Sequence, residues 1–371
     1  MTAPFRRPQV LAAAAALATI ALGISACGSP TSASSPSTSV AAGSGGSNGS
    51  SPAGAPTGPL DKVSVMVGGL DKQIYLPFML AKQLGYYQKA GLDVTLSDEP
   101  AGVNAETDMV AGQVDGVGGF YDHNIDLQAK GKFTESVISM LQVPGEVELC
   151  RSDLKGTVKS PADWKGRSLG ITDLGSSTDF LTQYLAEKAG LQRSDIHEIG
   201  VQAGPTFIAA MTHKSIDCGM TTEPTVSALV DTGKAYIISD MRTAAGAQAA
   251  LGGLYPATAL YMSTDYVNGH KATVQKLVNA YVATLKWIQK STAMAITDKM
   301  PPDYYKGVGK DAYAKALASE KGIYNPTGIM PPDGPKTCLA VLQGNPDLKG
   351  KTIDLAKTYT DEFVKAAKPL S

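Results

Sequence analysis

The sequence predicts two α/β lobes facing each other across a cleft, and three observations carry that prediction. About three hundred residues follow a low-complexity tract, enough for two lobes with substantial cores. Strand-like and helix-like segments alternate along them, and the same order of segments occurs twice at near-constant spacing. Such alternation implies right-handed crossovers and a parallel sheet covered by helices.

The first copy opens with a β-rich segment, Val63 to Val67, continues into a helical stretch from Leu80 to Leu92, and returns to a strand from Asp93 to Leu96. Leu76, Met79, Leu80 and Leu84 recur at three- and four-residue spacing with Gly85 near the end, so they read as core. The second copy runs from Ser168 to Thr172, through a helix from Phe180 to Leu191, to a strand near Ile196 to Val201. Each copy then carries a short helix ending in a shared pattern, Val114-Asp115-Gly116 in one and Ile216-Asp217-Cys218 in the other. The two Ala-Gly-Leu triplets lie 99 residues apart and the two aspartates 102. A later amphipathic helix shows Val274, Leu277, Val278, Tyr281, Val282, Leu285 and Ile288 on one face. It is expected to pack back on the first lobe. The expected division is therefore 61–145 with 256–371 as lobe 1, and 146–255 as lobe 2.

Ahead of the lobes stand Arg6 and Arg7, an apolar run from Val10 to Ile24, and the small residues Ser25 and Ala26 before Cys27. This is the pattern of a signal peptide over 1–26, too short for a comfortable membrane span. The residues before Cys27 resemble the lipobox of bacterial lipoproteins, which makes Cys27 the expected lipidated N-terminus. An ordinary secretory signal cut nearby is the alternative. The arginine pair also raises twin-arginine export, although its surroundings match that motif poorly. Residues 28–59 are almost entirely Ser, Gly, Ala, Pro and Thr, so 27–60 read as a lipid-anchored, disordered tether. Its reach is about 30 Å. The glycines from Gly43 to Gly49 have neither a strand before them nor a helix after them, which argues against a phosphate loop.

Composition excludes several classes. The formal charge of −1 becomes about −3 without the signal segment, and no basic block appears, so nucleic acid is not an expected partner. Cys150, Cys218 and Cys338 allow at most one intramolecular disulfide, and the sequence does not choose the pair. The scattered His123, His197, His213 and His270 match no zinc pattern, and no metal or cofactor is expected. No Gly-x-Ser-x-Gly elbow, P-loop or His-Glu-x-x-His motif is present, so no catalytic residue is assigned. Carboxylate pairs meeting in the cleft would be the route to an enzyme.

Ligands of open α/β sheets sit outside the carboxyl ends of the strands. After Ile171 the chain reads Asp173 to Asp179 and opens into a helix, so Ser176, Ser177 and Thr178 offer hydroxyls beside free N–H groups suited to an anion. The bland reading is helix capping. After a strand ending near Val117, Gly119, Phe120 and Tyr121 supply close backbone approach and a ring face, or are plain core. Thr222 and Glu223 are the second-lobe equivalents, and Glu223 either accepts from a ligand or caps the helix after Pro224. Asp71, Gln73 and Tyr75 follow the first strand. Tyr255 is a hinge-side candidate before the expected return crossover near Pro256 to Met262.

These motifs, in order, are Gly-Tyr-Tyr-Gln-Lys-Ala-Gly-Leu-Asp-Val (85–94), Ala-Gly-Gln-Val-Asp-Gly (111–116), Ala-Asp-Trp-Lys-Gly-Arg-Ser-Leu-Gly-Ile (162–171), the Gly175-Ser176-Ser177 turn and Glu223-Pro224. Together they resemble the nitrate/sulfonate/taurine type of ABC substrate-binding proteins, the SsuA/THI5/NMT1-like family, over roughly 61–290. The resemblance implies a type II periplasmic-binding-protein fold. It also implies a monomer outside the cytoplasm, held to the membrane only by its lipid, that passes a small solute to an ABC permease and its ATPase subunit. The Ser176-Ser177 turn aligns with the region where sulfonate-binding relatives hold the anion. The cysteine-rich motif of the eukaryotic thiamine-pyrimidine synthases is absent, so their chemistry is not implied. Gly28 after the lipobox cysteine points to a single-membrane host. The expected solute is a small organic anion, either a sulfonate, a taurine-like compound or an aromatic carboxylate. Alternatives are a heteroaromatic vitamin precursor such as the thiamine pyrimidine, a ligand-sensing lipoprotein and a cleft enzyme.

Overall fold

Alternation between buried and exposed side chains sets the first strand: in β1 (Asp61–Val67) Val63, Val65 and Val67 point into the core. The computed structural model describes residues 58–370, so the readings for the signal segment, Cys27 and most of the tether lie outside the described residues. Beyond β1 come β2 (Leu92–Asp98), β3 (Gly116–Phe120), β4 (Thr134–Ser139) and β5 (Glu146–Arg151). Then follow β6 (Ser168–Ile171), β7 (His197–Gly200), β8 (Cys218–Thr222), β9 (Ala235–Asp240) and β10 (Thr258–Ser263).

They form two five-stranded sheets, ordered β2-β1-β3-β10-β4 and β7-β6-β8-β5-β9. Each sheet is mixed rather than purely parallel, which corrects the sequence expectation. In the first, β10 runs antiparallel to both β3 and β4; in the second, β5 runs antiparallel to both β8 and β9. Each lobe thus receives its fourth strand from a segment that crosses between the lobes. The duplicated plan survives, because the antiparallel strand takes the same place in both sheets.

The first helical stretch is two helices, Leu76–Gln83 and Tyr86–Lys89, separated by Gly85 at φ 71°, a left-handed conformation that glycine adopts without strain. The 20-residue helix Lys271–Lys290 buries its apolar face against lobe 1, where the Tyr281 hydroxyl meets that of Tyr87 at 2.9 Å. Lobe 2 is tied across β5 and β8 by a disulfide between Cys150 and Cys218, while Cys338 is buried with a free thiol. Among the described residues no helix is long and apolar enough to cross a membrane.

β3 runs on to Phe120, so Gly119 and Phe120 belong to the strand and not to the loop expected after Val117. Two of the three glycines of β3 make room for rings. A Cβ on Gly118 would lie 2.5 Å from the Phe78 ring, and one on Gly119 2.9 Å from that of Tyr261.

Candidate functional site

The carboxyl ends of β1 and β3 in lobe 1 face those of β6 and β8 in lobe 2, and side chains from both meet there. The turn after β6 uses Gly175 at φ 79° to bring the chain into the helix Ser177–Lys188. Ser176 is the N-cap residue but its hydroxyl does not cap: it donates to the Asp173 carbonyl at 2.6 Å and touches the Thr178 hydroxyl at 2.8 Å. The Thr178 hydroxyl accepts from the Thr172 amide at 2.8 Å. Ser176 and Thr178 therefore brace the turn, and Ser177 alone reaches across.

Its hydroxyl donates to Asp122 Oδ1 at 2.8 Å and lies 3.4 Å from His123 Nε2, both on lobe 1. The Tyr255 hydroxyl donates to the other oxygen, Asp122 Oδ2, at 2.5 Å. Asp122 is fully buried at the start of the helix Asp122–Ala129, and burial, only partly offset by His123 and these two donors, pushes its pKa up. His123 Nδ1 lies 3.0 Å from Glu106 Oε2, and both side chains are almost wholly buried. Burial alone would lower the imidazole pKa, but the adjacent Glu106 carboxylate outweighs it and holds His123 at about 9. The neighbouring carboxylate thus favours the protonated imidazole. The sequence showed Asp122 and His123 only as neighbours of Tyr121, and gave no sign of Glu106.

Most of the remaining expected residues are engaged within the protein itself. Phe120 is core beside Tyr75, and Tyr121 is buried with its hydroxyl on Thr358. Thr222 gives its hydroxyl to the Gly145 carbonyl at 3.2 Å. Gln73 is buried, with its amide on the Tyr313 carbonyl at 2.9 Å, and its backbone N–H crosses to the Glu223 carbonyl at 3.1 Å. Glu223 precedes a cis bond to Pro224 and is fully buried. Its carboxylate accepts from the Ser227 amide at 3.0 Å and from Arg242 Nη1 at 2.6 Å, so it caps the helix Thr225–Val230.

Two acids were missed. Glu146 and Glu148 occupy alternate positions of β5 on one face of the sheet, both buried. Burial lifts Glu146 to about 7, against a lowering pull from Lys72, and raises Glu148 well above the carboxylate range. The signal was present in Glu-Val-Glu-Leu, acids alternating with apolar residues. A cavity of about 480 Å³, within the range of small-molecule sites, opens between Asp71, Lys72 and Tyr304 on one side and Gly204, Pro205 and Glu223 on the other.

Two lobes of one plan, bridged at their strand tips, are the frame in which the comparisons fall. The sequence profile described as NMT1/THI5 like matches residues 73–294. The chain belongs to the NMT1/THI5-like family. A solved structure from Bordetella bronchiseptica RB50 is 35% identical, with a TM-score of 0.79, covering 82% of this chain and 96% of that one. The periplasmic nitrate-binding protein NrtA from Synechocystis PCC 6803 shares the fold at 16% identity and TM-score 0.66, covering 84% and 89%. The alkanesulfonate-binding protein SsuA from Xanthomonas axonopodis pv. citri, bound to MOPS, does so at 18% and 0.63, covering 82% and 100%. The desulfurization enzyme DSZB has the same fold, at 16% identity and 0.55, covering 82% and 98%, so the fold alone does not separate receptor from catalyst. No curated protein sequence matches. The NMT1/THI5-like chain thus has the type II periplasmic-binding-protein fold.

Proposed function

We propose that this protein is the extracytoplasmic solute-binding lipoprotein of an ABC importer, closing its lobes on one small organic solute and presenting it to the permease. The observation that carries the reading is the buried Ser177–Asp122 hydrogen bond, a polar contact between lobes that exists only when they are shut. The family supports the same reading. Ser177 faces Asp122 more closely than His123, at 2.8 against 3.4 Å, and all three are buried, which favours a contact between lobes over a catalytic pair. Lobe boundaries at 61–145 with 256–371, and at 146–255, a monomeric state and anchoring through Cys27 belong to the same proposal.

For the solute, the turn Ser176 to Thr178 suits an organic anion less well in the folded protein than in the sequence. Two of its hydroxyls are spent on bracing, and the third holds a carboxylate of the protein itself. That arrangement favours the second reading, a nitrogen-bearing solute such as a heteroaromatic precursor.

Small-angle scattering and thermal unfolding of the purified protein, with and without candidate solutes, test the receptor reading. A bound solute at a hundred times its dissociation constant adds about 2.7 kcal/mol and compacts the protein. Stabilisation without compaction would mean that the cleft does not close. Replacing Cys27 with Ala releases the protein to the medium; continued membrane retention would place the anchor elsewhere.

A further inference from the structure

The contact between Ser177 and Asp122 is direct, and neither residue, nor Ser176, Thr178 or Tyr255, lines the cavity of about 480 Å³ between the lobes. That space lies to one side of the contact. Lobe 1 supplies Tyr304 and Val308 to its wall. Lobe 2 supplies Pro205, Ile208, Ala209 and Thr212, which share one face of the helix Pro205–Thr212 because residues three and four apart are neighbours on a helix. At Gly204, a residue of the same wall, an added Cβ would stand 3.9 Å from Asp71 Oδ2 of lobe 1, an ordinary contact distance. The lobes are thus already close enough for one small molecule to touch both.

The polar groups set into this wall are spent inside the protein. Glu223 accepts from Ser227 and Arg242, and the Thr225 hydroxyl accepts from the Gly204 amide at 3.0 Å. The Lys72 ammonium donates to the carbonyls of Gly68 and Pro100 at 2.7 and 2.9 Å. The start of the helix offers no cradle for an anion, since Pro205 has no N–H and that of Gly204 is taken. The charges that remain, Asp71 and Asp303 against Lys234, are exposed, of both signs and screened by water. A charged solute would therefore give up hydration for apolar walls and gain no built partner. An uncharged ring buries its faces against proline, isoleucine and tyrosine without that loss.

We infer that the solute is an uncharged ring compound, aromatic or heteroaromatic, seated in this side cavity between the helix Pro205–Thr212 and Tyr304 and not at the turn Ser176 to Thr178. The inference rests on the receptor reading above and names the solute class and its seat. Because the two walls belong to different lobes, occupancy joins them. The Ser177–Asp122 contact then latches the lobes beside the ring and does not hold it.

Two neutral probes, benzyl alcohol and benzamide, set against benzoate and benzylammonium, test it by calorimetric titration into the purified full chain and into Ala209→Trp and Tyr304→Ala. Ala209 is exposed on its helix and lines the cavity, so the indole fills the space without entering the core. An unchanged unfolding midpoint checks that this variant is folded, and it decides the question even if Tyr304→Ala is unstable. The expected result is that the wild type binds at least one neutral ring more than tenfold more tightly than either charged probe. Ala209→Trp should then lose at least tenfold of that affinity. A wild type that prefers a charged probe, binds neither neutral ring, or keeps its affinity after Ala209→Trp overturns the inference. Scattering on the same samples separates the two levels. Compaction on a charged probe, or on a ring in Ala209→Trp, removes the proposed seat and leaves the receptor standing; a protein that neither compacts nor gains stability with any of the four probes counts against both.

Discussion

Ser177 and Asp122, 55 residues apart in sequence and on different lobes, share a buried hydrogen bond of 2.8 Å. Because the acceptor is a carboxylate with no access to water, removing the donor leaves one of its oxygens unsatisfied in the closed form only. Ser177→Ala therefore disfavours closure by about 1.5–3 kcal/mol, the range for hydrogen bonds to charged groups. The radius of gyration of the variant should exceed that of the wild type under the same conditions. Equal radii would show that the contact does not hold the lobes.

The Glu106–His123 pair gives stability a pH dependence of defined sign. The folded pKa of about 9 lies above the ordinary 6.5, so between those values the native state binds more protons than the unfolded chain. The contribution is full below about pH 6.5 and is lost as pH rises through about 9. Denaturant unfolding at pH 6, 7.5 and 9.5 should show a decline that Glu106→Gln flattens. Parallel curves for the two proteins would remove the pair from the account.

Arg242 neutralises a carboxylate that has no solvent exposure, since its Nη1 lies 2.6 Å from Glu223 Oε1. Arg242→Met strands that charge, and breaking one side of a buried pair costs about 3–5 kcal/mol. Urea midpoints measure the loss. A change below about 1 kcal/mol would show that Arg242 is not what holds the buried carboxylate in place.

The Cys150–Cys218 bridge closes a loop of 68 residues inside lobe 2. Replacing both with Ser should cost about 2–5 kcal/mol, and the loss should match that produced by a reductant on the wild type. A reductant effect that persists in the double variant would mean that the bridge is not its target.

Much of the fold was legible because strand and helix periodicities are local. Val63, Val65 and Val67 alternate, and Leu76, Met79, Leu80 and Leu84 repeat at helical spacing, whatever the rest of the chain does. The sheet direction was not legible in the same way. β5 and β10 pair antiparallel with strands 68 and more than a hundred residues away, and no window of sequence carries that register. The site divides similarly. The turn Ser176 to Thr178 is a local signature, yet that Ser177 is the hydroxyl reaching Asp122 depends on Thr172 and Asp173 taking the other two. Asp122 and His123 acquire roles only through Ser177, Tyr255 and Glu106, which no short motif connects to them. Glu223 allowed two readings, a ligand group or a helix cap; its carboxylate accepts from the Ser227 amide and from Arg242, a partner 19 residues away that no local motif announces.

The position of β10 has a bearing on how the chain comes to be folded. It lies between β3 and β4, so the first sheet stays split until residues Thr258–Ser263 have been made. A ribosome-bound chain that has released only its first two hundred residues holds four of the five strands of that sheet and lacks the one that joins them. Such a chain is slow to compact, because closing a loop this long precedes any gain from the pairing. For the exported protein proposed above, which would be threaded through a narrow translocon before it folds, that delay is an advantage.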